Sequence, residues 1–412
     1  MSDPTTDAGI EAGGFGLATR LIRPVGAGDH APEMGLSVWA RGLLEASTAP
    51  ATQEAYARDW ERWSTWARRA AVEALPADPV DVANYLGEAA ELGWVRQTPA
   101  TAAGDGPVTR RRAYAPSTLE RWVAAIDAVH RAAGEPPPGA AEIVRRVLAG
   151  ARRTRARSTD PARQRRAARP LLLPDLRRML DGLDRDTFPA GVAGRRDAAL
   201  LLAGFAMATR SAELVGLNVD DVAWDATDGL HVRLRHRKND QDGTGTIQVL
   251  PRGRQVATCA PCALTLWLLF CADIASHTYP DGAPRAAVMR AVLARPVTSE
   301  AHVCEQAPAA GWGLPSGWPL FVTVHRTGRL GGRPSPEVVS DVVRRRRARV
   351  DLDPAGYSSH SLRAGAVTWA ARRGATTSQI QRLTGHRSAD QVETYRRREH
   401  PLEGNAVTRL GL

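Results

Sequence analysis

The chain has 412 residues, of which 43% are hydrophobic, so it is long enough for two domains and can bury a core in each. No apolar run reaches the roughly 18 residues that a membrane span needs, and the first residues lack the pattern of a secretory signal. Four cysteines are too few for a disulfide framework in a chain this long. These features exclude a membrane protein and a secreted disulfide scaffold, and we expect a cytoplasmic protein.

The charge is distributed unevenly along the chain. The formal net charge is +11, but residues 1–49 hold three Arg against six acids, so the remainder carries +14. A folded body this basic favours a polyanionic partner, most often nucleic acid, although a merely soluble basic protein would have the same composition.

Lysine is almost absent. Of the 55 basic side chains, 54 are Arg, and the one lysine is Lys238. Arg stays protonated in proteins, whereas Lys can give up a proton when its surroundings lower its pKa. Lys238 is therefore a candidate for chemistry, with chance survival of one codon as the alternative.

The first part of the chain predicts a tail followed by a helical domain. Residues 1–49 are rich in Gly, Ala and Pro and have no sustained period, which predicts a disordered acidic tail. Helical periodicity recurs through 50–151 and predicts four helices without strands. A loop at 93–115 would carry three consecutive arginines, Arg110, Arg111 and Arg112, as a DNA-contacting group.

A basic segment at 152–170 separates this domain from the rest. It contains eight Arg and a single acid, Asp160. The composition predicts an extended linker, which would either be solvated or lie along a phosphate backbone. In the second case the contacts would come from Arg152, Arg153, Arg163, Arg165 and Arg166.

The second domain, 171–412, is predicted to be helical with a small antiparallel sheet. His231–Arg237 and Thr246–Leu250 flank a polar turn that ends in Gly243, as expected for a β-hairpin. An irregular insertion, 276–318, interrupts the helices and holds one predicted helix at Arg285–Leu293. The predicted fold class is thus mainly α with a small antiparallel β-sheet.

Several polar residues of the second domain are weak signals of function one by one, but together and in their order they form a specific pattern. Arg210 ends an apolar helix and is followed three residues later by Glu213, and Lys238 lies at the hairpin turn. The sequence His360-Ser-Leu-Arg363 comes next, and then His386, with Tyr395 nine residues after it.

In this order, these residues resemble the tyrosine recombinase (phage integrase) family, and the two-domain layout resembles its Cre-like branch. The resemblance implies catalytic roles for Arg210, Lys238, His360, Arg363, His386 and Tyr395, with Glu213 in support. It also implies an N-terminal core-binding domain and an α+β catalytic domain that form a C-shaped clamp on DNA. The activity would be site-specific cleavage and rejoining of DNA through a 3′-phosphotyrosine.

The same resemblance implies the partners. They are a double-stranded DNA target site and other copies of the chain, as a homotetramer on DNA, in a nucleoid-associated protein of prokaryotic, phage or mobile-element origin. No cofactor, metal or membrane is implied, and an accessory DNA-bending factor is left open. The alternatives are DNA relaxation of the type IB topoisomerase kind and a catalytically idle DNA-binding regulator on the same scaffold.

Two further patterns compete for interpretation. Cys259-Ala-Pro-Cys262, with His302 and Cys304, has part of a zinc pattern. However, Cys262 begins an apolar helix and the later pair lies in the insertion, so the sequence favours buried thiols without metal. The run that includes Arg344, Arg345 and Arg346 ends a helix, where its positive charges could stabilise the helix dipole. The family resemblance instead favours contact between these arginines and DNA.

Overall fold

A computed structural model describes residues 47–98, 108–160, 168–235, 245–276, 285–294, 301–308, 311–350 and 356–385. It also describes the isolated positions 37, 39, 42–43, 237, 388–390, 392–393 and 410. The chain divides into two units, Met1–Arg165 and Arg166–Leu412.

Residues 50–157 of the N-terminal unit contain four α-helices in their described part, as the periodicity predicts. They are α1 (Pro50–Ala70), α2 (Pro79–Glu91), α3 (Pro116–Ala132) and α4 (Glu142–Arg157). Large side chains from all four meet in one core, which includes the fully buried Trp63, Leu86, Trp122 and Val144. The tryptophans at helical spacing therefore serve packing.

The predicted loop at 93–115 is wrong in part, because it contains a hairpin. Strand β1 (Trp94–Thr98) pairs antiparallel with β2 (Val108–Arg112). The register places Arg110, Arg111 and Arg112 on β2, opposite Arg96, Val95 and Trp94. Two short strands joined by a Gly-containing polar stretch have no strong alternation of apolar residues, so the sequence pattern did not reveal them.

Helix α4 ends six residues later than predicted, at Arg157 rather than Ala151. Arg152 and Arg153 are thus helical residues and not part of an extended linker. Arg is a good helix former, and Arg152 lies 3.4 Å from Glu120 of α3, which supports the added turns. Arg163, Arg165 and Arg166 lie outside the described residues.

The C-terminal unit has eight helices and three strands among its described residues. The helices are α5 (Leu173–Asp181), α6 (Ala190–Ala206), α7 (Ser211–Val215), α8 (Ala260–Ser276), α9 (Arg285–Leu293), α10 (Glu337–Arg347), α11 (Ser359–Arg372) and α12 (Thr377–Thr384). The strands are β3 (Val222–Asp225), β4 (Gly229–Leu234) and β5 (Thr246–Leu250), in the antiparallel order β3-β4-β5. The predicted fold class is confirmed.

The hairpin of β4 and β5 is amphipathic. Leu230, Val232 and Leu234 of β4 are buried against the helices, whereas Ile247 of β5 is 63% exposed. Leu230 lies opposite Leu250, and Leu234 opposite Thr246. The predicted hairpin is present, with β5 at the predicted bounds and β4 at Gly229–Leu234 rather than His231–Arg237. The turn that contains Lys238 lies outside the described residues, apart from Arg237 and Gly245 on its two sides.

The insertion contributes to the core. Helix α9 has the predicted bounds, and its Met289, Val292 and Leu293 are buried. Further along, the Trp312 indole N–H donates to the Val222 carbonyl of β3 at 3.0 Å. These parts of the segment are therefore integral to the unit. In the described part of the chain, no helix has the length and apolar character that crossing a membrane requires.

A buried carboxylate joins α6 to α10. Asp197 is fully buried and accepts hydrogen bonds from Arg196 at 2.6 Å and from the Arg346 Nε at 2.7 Å. The prediction that Arg346 contacts DNA is wrong, because this side chain is 6% exposed and neutralises Asp197. Arg344 is exposed beside Asp341, and Arg345 is half-exposed, so their predicted DNA contacts stay predictions.

We expect Asp197→Asn to lower the free energy of unfolding by about 3–5 kcal/mol, because it leaves buried arginines without their counter-charge. Asp341→Asn is the matched control, since it removes an exposed carboxylate on α10 and should cost at most about 1 kcal/mol. Denaturant unfolding of both variants measures the difference. Equal costs would contradict the structural role of Asp197.

Candidate active site

Arg210 and Glu213 form an ion pair with two hydrogen bonds at the start of α7. The backbone N–H of Arg210 donates to one carboxylate oxygen of Glu213 at 3.0 Å, and its guanidinium donates to the other at 2.6 Å. The Arg210 side chain remains 26% exposed, whereas that of Glu213 is 6% exposed. The buried Glu213 carboxylate thus fixes the orientation of the Arg210 guanidinium, while part of the Arg210 side chain stays exposed to solvent.

The charge of Glu213 is stabilised by these contacts. Burial by itself would raise the pKa of Glu213, but hydrogen bonds from the Arg210 backbone and guanidinium, together with the charges of Arg210 and Arg237, lower that pKa below its usual value. Glu213 is therefore an anion at neutral pH and orients Arg210.

Arg363 reaches the same turn from α11. Its Nη1 donates to the Ala208 carbonyl at 2.5 Å, two residues before Arg210, and the side chain is 8% exposed. Ala208 has a φ of +48°, a left-handed conformation that a residue with a Cβ rarely adopts. The backbone between α6 and α7 is thus held in a strained turn, and Arg363 binds its carbonyl.

Close helix packing places α11 against α6. A Cβ at Gly204 of α6 would lie 3.1 Å from side-chain carbons of both Leu214 and Leu362, so glycine allows the two helices to approach. Leu362 directly precedes Arg363, and this contact helps to bring Arg363 to the Arg210 turn.

His360 lies in the first turn of α11, three residues before Arg363, and is exposed. The preceding residue is fixed to α10, because the Ser359 backbone N–H donates to the Ser340 hydroxyl at 3.1 Å. An exposed imidazole on an anchored helix start is accessible to a bound substrate.

The segments that lead to Lys238 and His386 meet. Arg237 directly precedes Lys238, and its Nη2 donates to the Leu383 carbonyl at 3.1 Å. Gln248 of β5 donates to the same carbonyl. Gly385, which directly precedes His386, has a φ of +68°, and a Cβ there would lie 2.8 Å from the Arg237 Nη1. The hairpin and the end of α12 are therefore in direct contact.

The structure brings together the described part of the predicted site. Arg210, Glu213 and Arg363 meet at one turn. Arg237, beside the β4–β5 turn, is near enough for its charge to lower the pKa of Glu213. Lys238, His386 and Tyr395 lie outside the described residues, as do the side chains of Arg110, Arg111 and Arg112. Their predicted roles stay predictions.

Sequence reasoning missed two residues of this arrangement, Arg237 and Gln248. Both bind the Leu383 carbonyl and support the approach to the hairpin turn. Arg237 is adjacent to the sole lysine, but nothing in the sequence distinguishes it from the other arginines of β4 and the turn.

We expect Glu213→Gln to lower the free energy of unfolding at pH 7 by about 1.5–3 kcal/mol, because hydrogen bonds to a charged partner are lost. The pKa of Glu213 is depressed in the folded state, so its stabilisation is complete above the unfolded value of about 4.3 and disappears as the pH falls further. The difference between wild type and variant should therefore shrink below about pH 4.3.

Denaturant unfolding between pH 7 and pH 3 measures this dependence, with Glu61→Gln, at an exposed glutamate of the N-terminal unit, as the control. A difference that is independent of pH would show that the charge of Glu213 does not stabilise the Arg210 turn.

Comparison with known proteins identifies relatives of the whole chain. No protein-family model matches it. The chain is 28% identical to the integrase/recombinase xerD homolog of Selenomonas ruminantium over 378 residues, which are 91% of this chain and 89% of the relative. Similar solved structures include the XerH site-specific recombinase bound to palindromic difH substrate, in a post-cleavage complex (TM-score 0.49, 12% identity, 88% of this chain and 81% of that one). Another is a lambda integrase dimer bound to a COC′ core site (TM-score 0.44, 13% identity, 86% and 74%).

The relation to the Selenomonas protein extends over almost the entire length of both chains. Over almost all of its length, the chain is therefore similar to a protein that is named as an integrase/recombinase.

Proposed function

We propose that the protein is a site-specific DNA recombinase that cleaves and rejoins duplex DNA through a covalent 3′-phosphotyrosine, as a tetramer on two DNA sites. The observation that carries the proposal is the turn at 208–213. There, two arginines from separate helices are held by hydrogen bonds to the same short stretch of chain.

The two arginines suit a phosphodiester. Attack on phosphorus increases the negative charge on the non-bridging oxygens, and a guanidinium offers planar, paired donors without any loss of charge. Arg210 is partly exposed and pre-oriented by Glu213, so it would stabilise this charge with little reorganisation. Arg363, anchored on the Ala208 carbonyl, would act from the second side.

The remaining roles follow from the chemistry of each side chain. Tyr395 is the nucleophile, because a phosphotyrosine conserves the bond energy for rejoining and needs no cofactor. Lys238 protonates the leaving 5′ oxygen, and His360 accepts the phenolic proton. His386 donates a hydrogen bond to the phosphate. Contact between Arg237 and the Leu383 carbonyl supports this assignment, since it connects the chain segments of Lys238 and His386.

DNA contacts outside the site come from the basic surface. The candidates are Arg110, Arg111 and Arg112 of the first hairpin, Arg152 and Arg153 of α4, Arg163, Arg165 and Arg166 between the units, and Arg344 and Arg345 of α10. Arg152 and Arg344 are each more than half exposed, so they can reach phosphates. Both units would contact the duplex.

Two other functions would use the same scaffold. A type IB topoisomerase would perform the same cleavage on any duplex and relax supercoils without a defined site. A DNA-binding regulator would need no nucleophile, and the complete set of six residues argues against it.

We expect Tyr395→Phe to abolish covalent attachment to DNA and to leave DNA binding unchanged, because only the phenolic oxygen is lost. Denaturing electrophoresis of protein mixed with nicked target DNA detects the adduct. Tyr357→Phe is the matched control. The centroid of the Tyr357 ring lies 5.7 Å from the guanidinium carbon of Arg169 and 5.6 Å from that of Arg347, and Phe preserves these cation–π contacts. An adduct formed by the Tyr395 variant would refute the assignment of the nucleophile.

Lys238→Arg should lose about 100- to 10,000-fold in cleavage rate, nearly as much as Lys238→Ala, because guanidinium donates its proton too poorly to the leaving alkoxide. A substrate with sulfur at the bridging 5′ position needs no proton, since a thiolate leaves unaided. Cleavage of that substrate should be restored in both Lys238 variants.

Arg210→Ala is the control for the sulfur substrate, because the function lost there is charge stabilisation, which sulfur does not replace. If the sulfur substrate fails to rescue Lys238→Ala, the lysine only binds DNA.

A further inference from the structure

Four metal-ligating side chains of the C-terminal unit converge away from the Arg210 turn. The ligand atoms of Cys259, Cys262, His302 and Cys304 all lie within 4.8 Å of one another. The position of His302 and Cys304 in the insertion does not separate them from the other pair, because the insertion folds back on the start of α8. The helix that begins at Ala260 contacts the short 3₁₀ helix Val303–Gln306, which carries Cys304.

The distances suit one tetrahedral ion. Zn–S bonds of about 2.3 Å and Zn–N bonds of about 2.0 Å give ligand separations of about 3.5–3.8 Å. The Sγ of Cys262 lies 3.3 Å from the Nδ1 of His302, close to such an edge. All four ligand atoms are therefore near the spacing that binding requires, and small side-chain adjustments would complete the geometry.

The three cysteines of the cluster are buried, and His302 is partly exposed. Cys259 and Cys304 are fully buried, Cys262 is 2% exposed, and Val303 and Leu266 pack around them. The Gly253 backbone N–H donates to the Cys259 sulfur at 3.2 Å, a contact that stabilises a thiolate ligand. All four cysteines of the chain are thiols rather than disulfides.

We propose that Cys259, Cys262, His302 and Cys304 bind a structural zinc ion. Thiolate and imidazole donors in tetrahedral order select Zn²⁺, and four protein ligands leave no open position for catalysis. On binding, three thiols release their protons and His302 binds as the neutral imidazole, so the charge of the complex is 2 − 3 = −1.

Zinc at this position would stabilise the base of the hairpin. Cys259 and Gly253 lie in the connection between β5 and α8, and Trp224 of β3 packs on both this cluster and the main core. The ion would fix residues 301–308 to that connection. The zinc proposal does not depend on the proposed recombinase function, because none of the four ligands belongs to the predicted catalytic set.

Metal content of the full-length protein tests the proposal. Protein purified without chelator is analysed for zinc by mass spectrometry, alongside Cys259→Ser and Cys304→Ser. Cys271→Ser is the matched control, since Cys271 is a buried cysteine on α8 outside the cluster. We expect one zinc per chain in the wild type and in Cys271→Ser, and at least a tenfold loss in the other two variants.

Two measurements on the wild type keep the test independent of variant folding. A mercurial that titrates thiols should release the zinc in step with the reaction of three cysteines. Protein loaded with Co²⁺ in place of Zn²⁺ should show the visible absorption of tetrahedral cobalt thiolate. A wild type that takes up neither ion, a disulfide within the cluster, or full zinc in Cys259→Ser and Cys304→Ser would overturn the proposal.

Discussion

Arginine bound to backbone carbonyls at the ends of helices is the interaction on which the C-terminal unit depends. Arg363 holds the Ala208 carbonyl after α6, Arg237 holds that of Leu383 in α12, and Arg333 binds those of Val215 and Leu217 at the end of α7. The last carbonyls of a helix have no partner within it, and a guanidinium can satisfy them at any physiological pH. These contacts join the segments on which the predicted catalytic residues lie.

A second constraint fixes where α11 begins. Asp197 holds Arg346 and thereby joins α6 to α10, and Ser340 of α10 accepts the backbone N–H of Ser359. Because Ser359 begins α11, the buried ion pair, acting through α10, helps to fix the position of the helix start on which His360 lies. Arginine therefore has two separate uses here, one in building the scaffold and one in the proposed contact with phosphate. Lysine is dispensable for both, and its single occurrence is at the position where proton transfer is proposed.

The sequence predicts the fold class and the hairpin well, because helical periodicity and the polar turn after β4 are local signals. The family resemblance also groups Arg210, Glu213 and Arg363, and the structure brings these three residues to one turn. Sequence reasoning fails where contacts are long-range. The partner of Arg346 lies 149 residues away, and Cys262 meets His302 across 40 residues of chain. Residues that tertiary packing brings together leave no periodic pattern in the sequence. The structure is therefore needed to recognise that an arginine is buried or that four metal-ligating side chains converge.

The most direct test of the recombinase assignment is covalent capture on genomic DNA fragments. The trapped ends would be sequenced, and the peptide attached to them identified by mass spectrometry. The account predicts that the 3′ ends are linked to Tyr395 and share one sequence motif. Ends that share no sequence would indicate topoisomerase-like cleavage, and a link to any other residue, or no covalent product, would contradict the proposed mechanism.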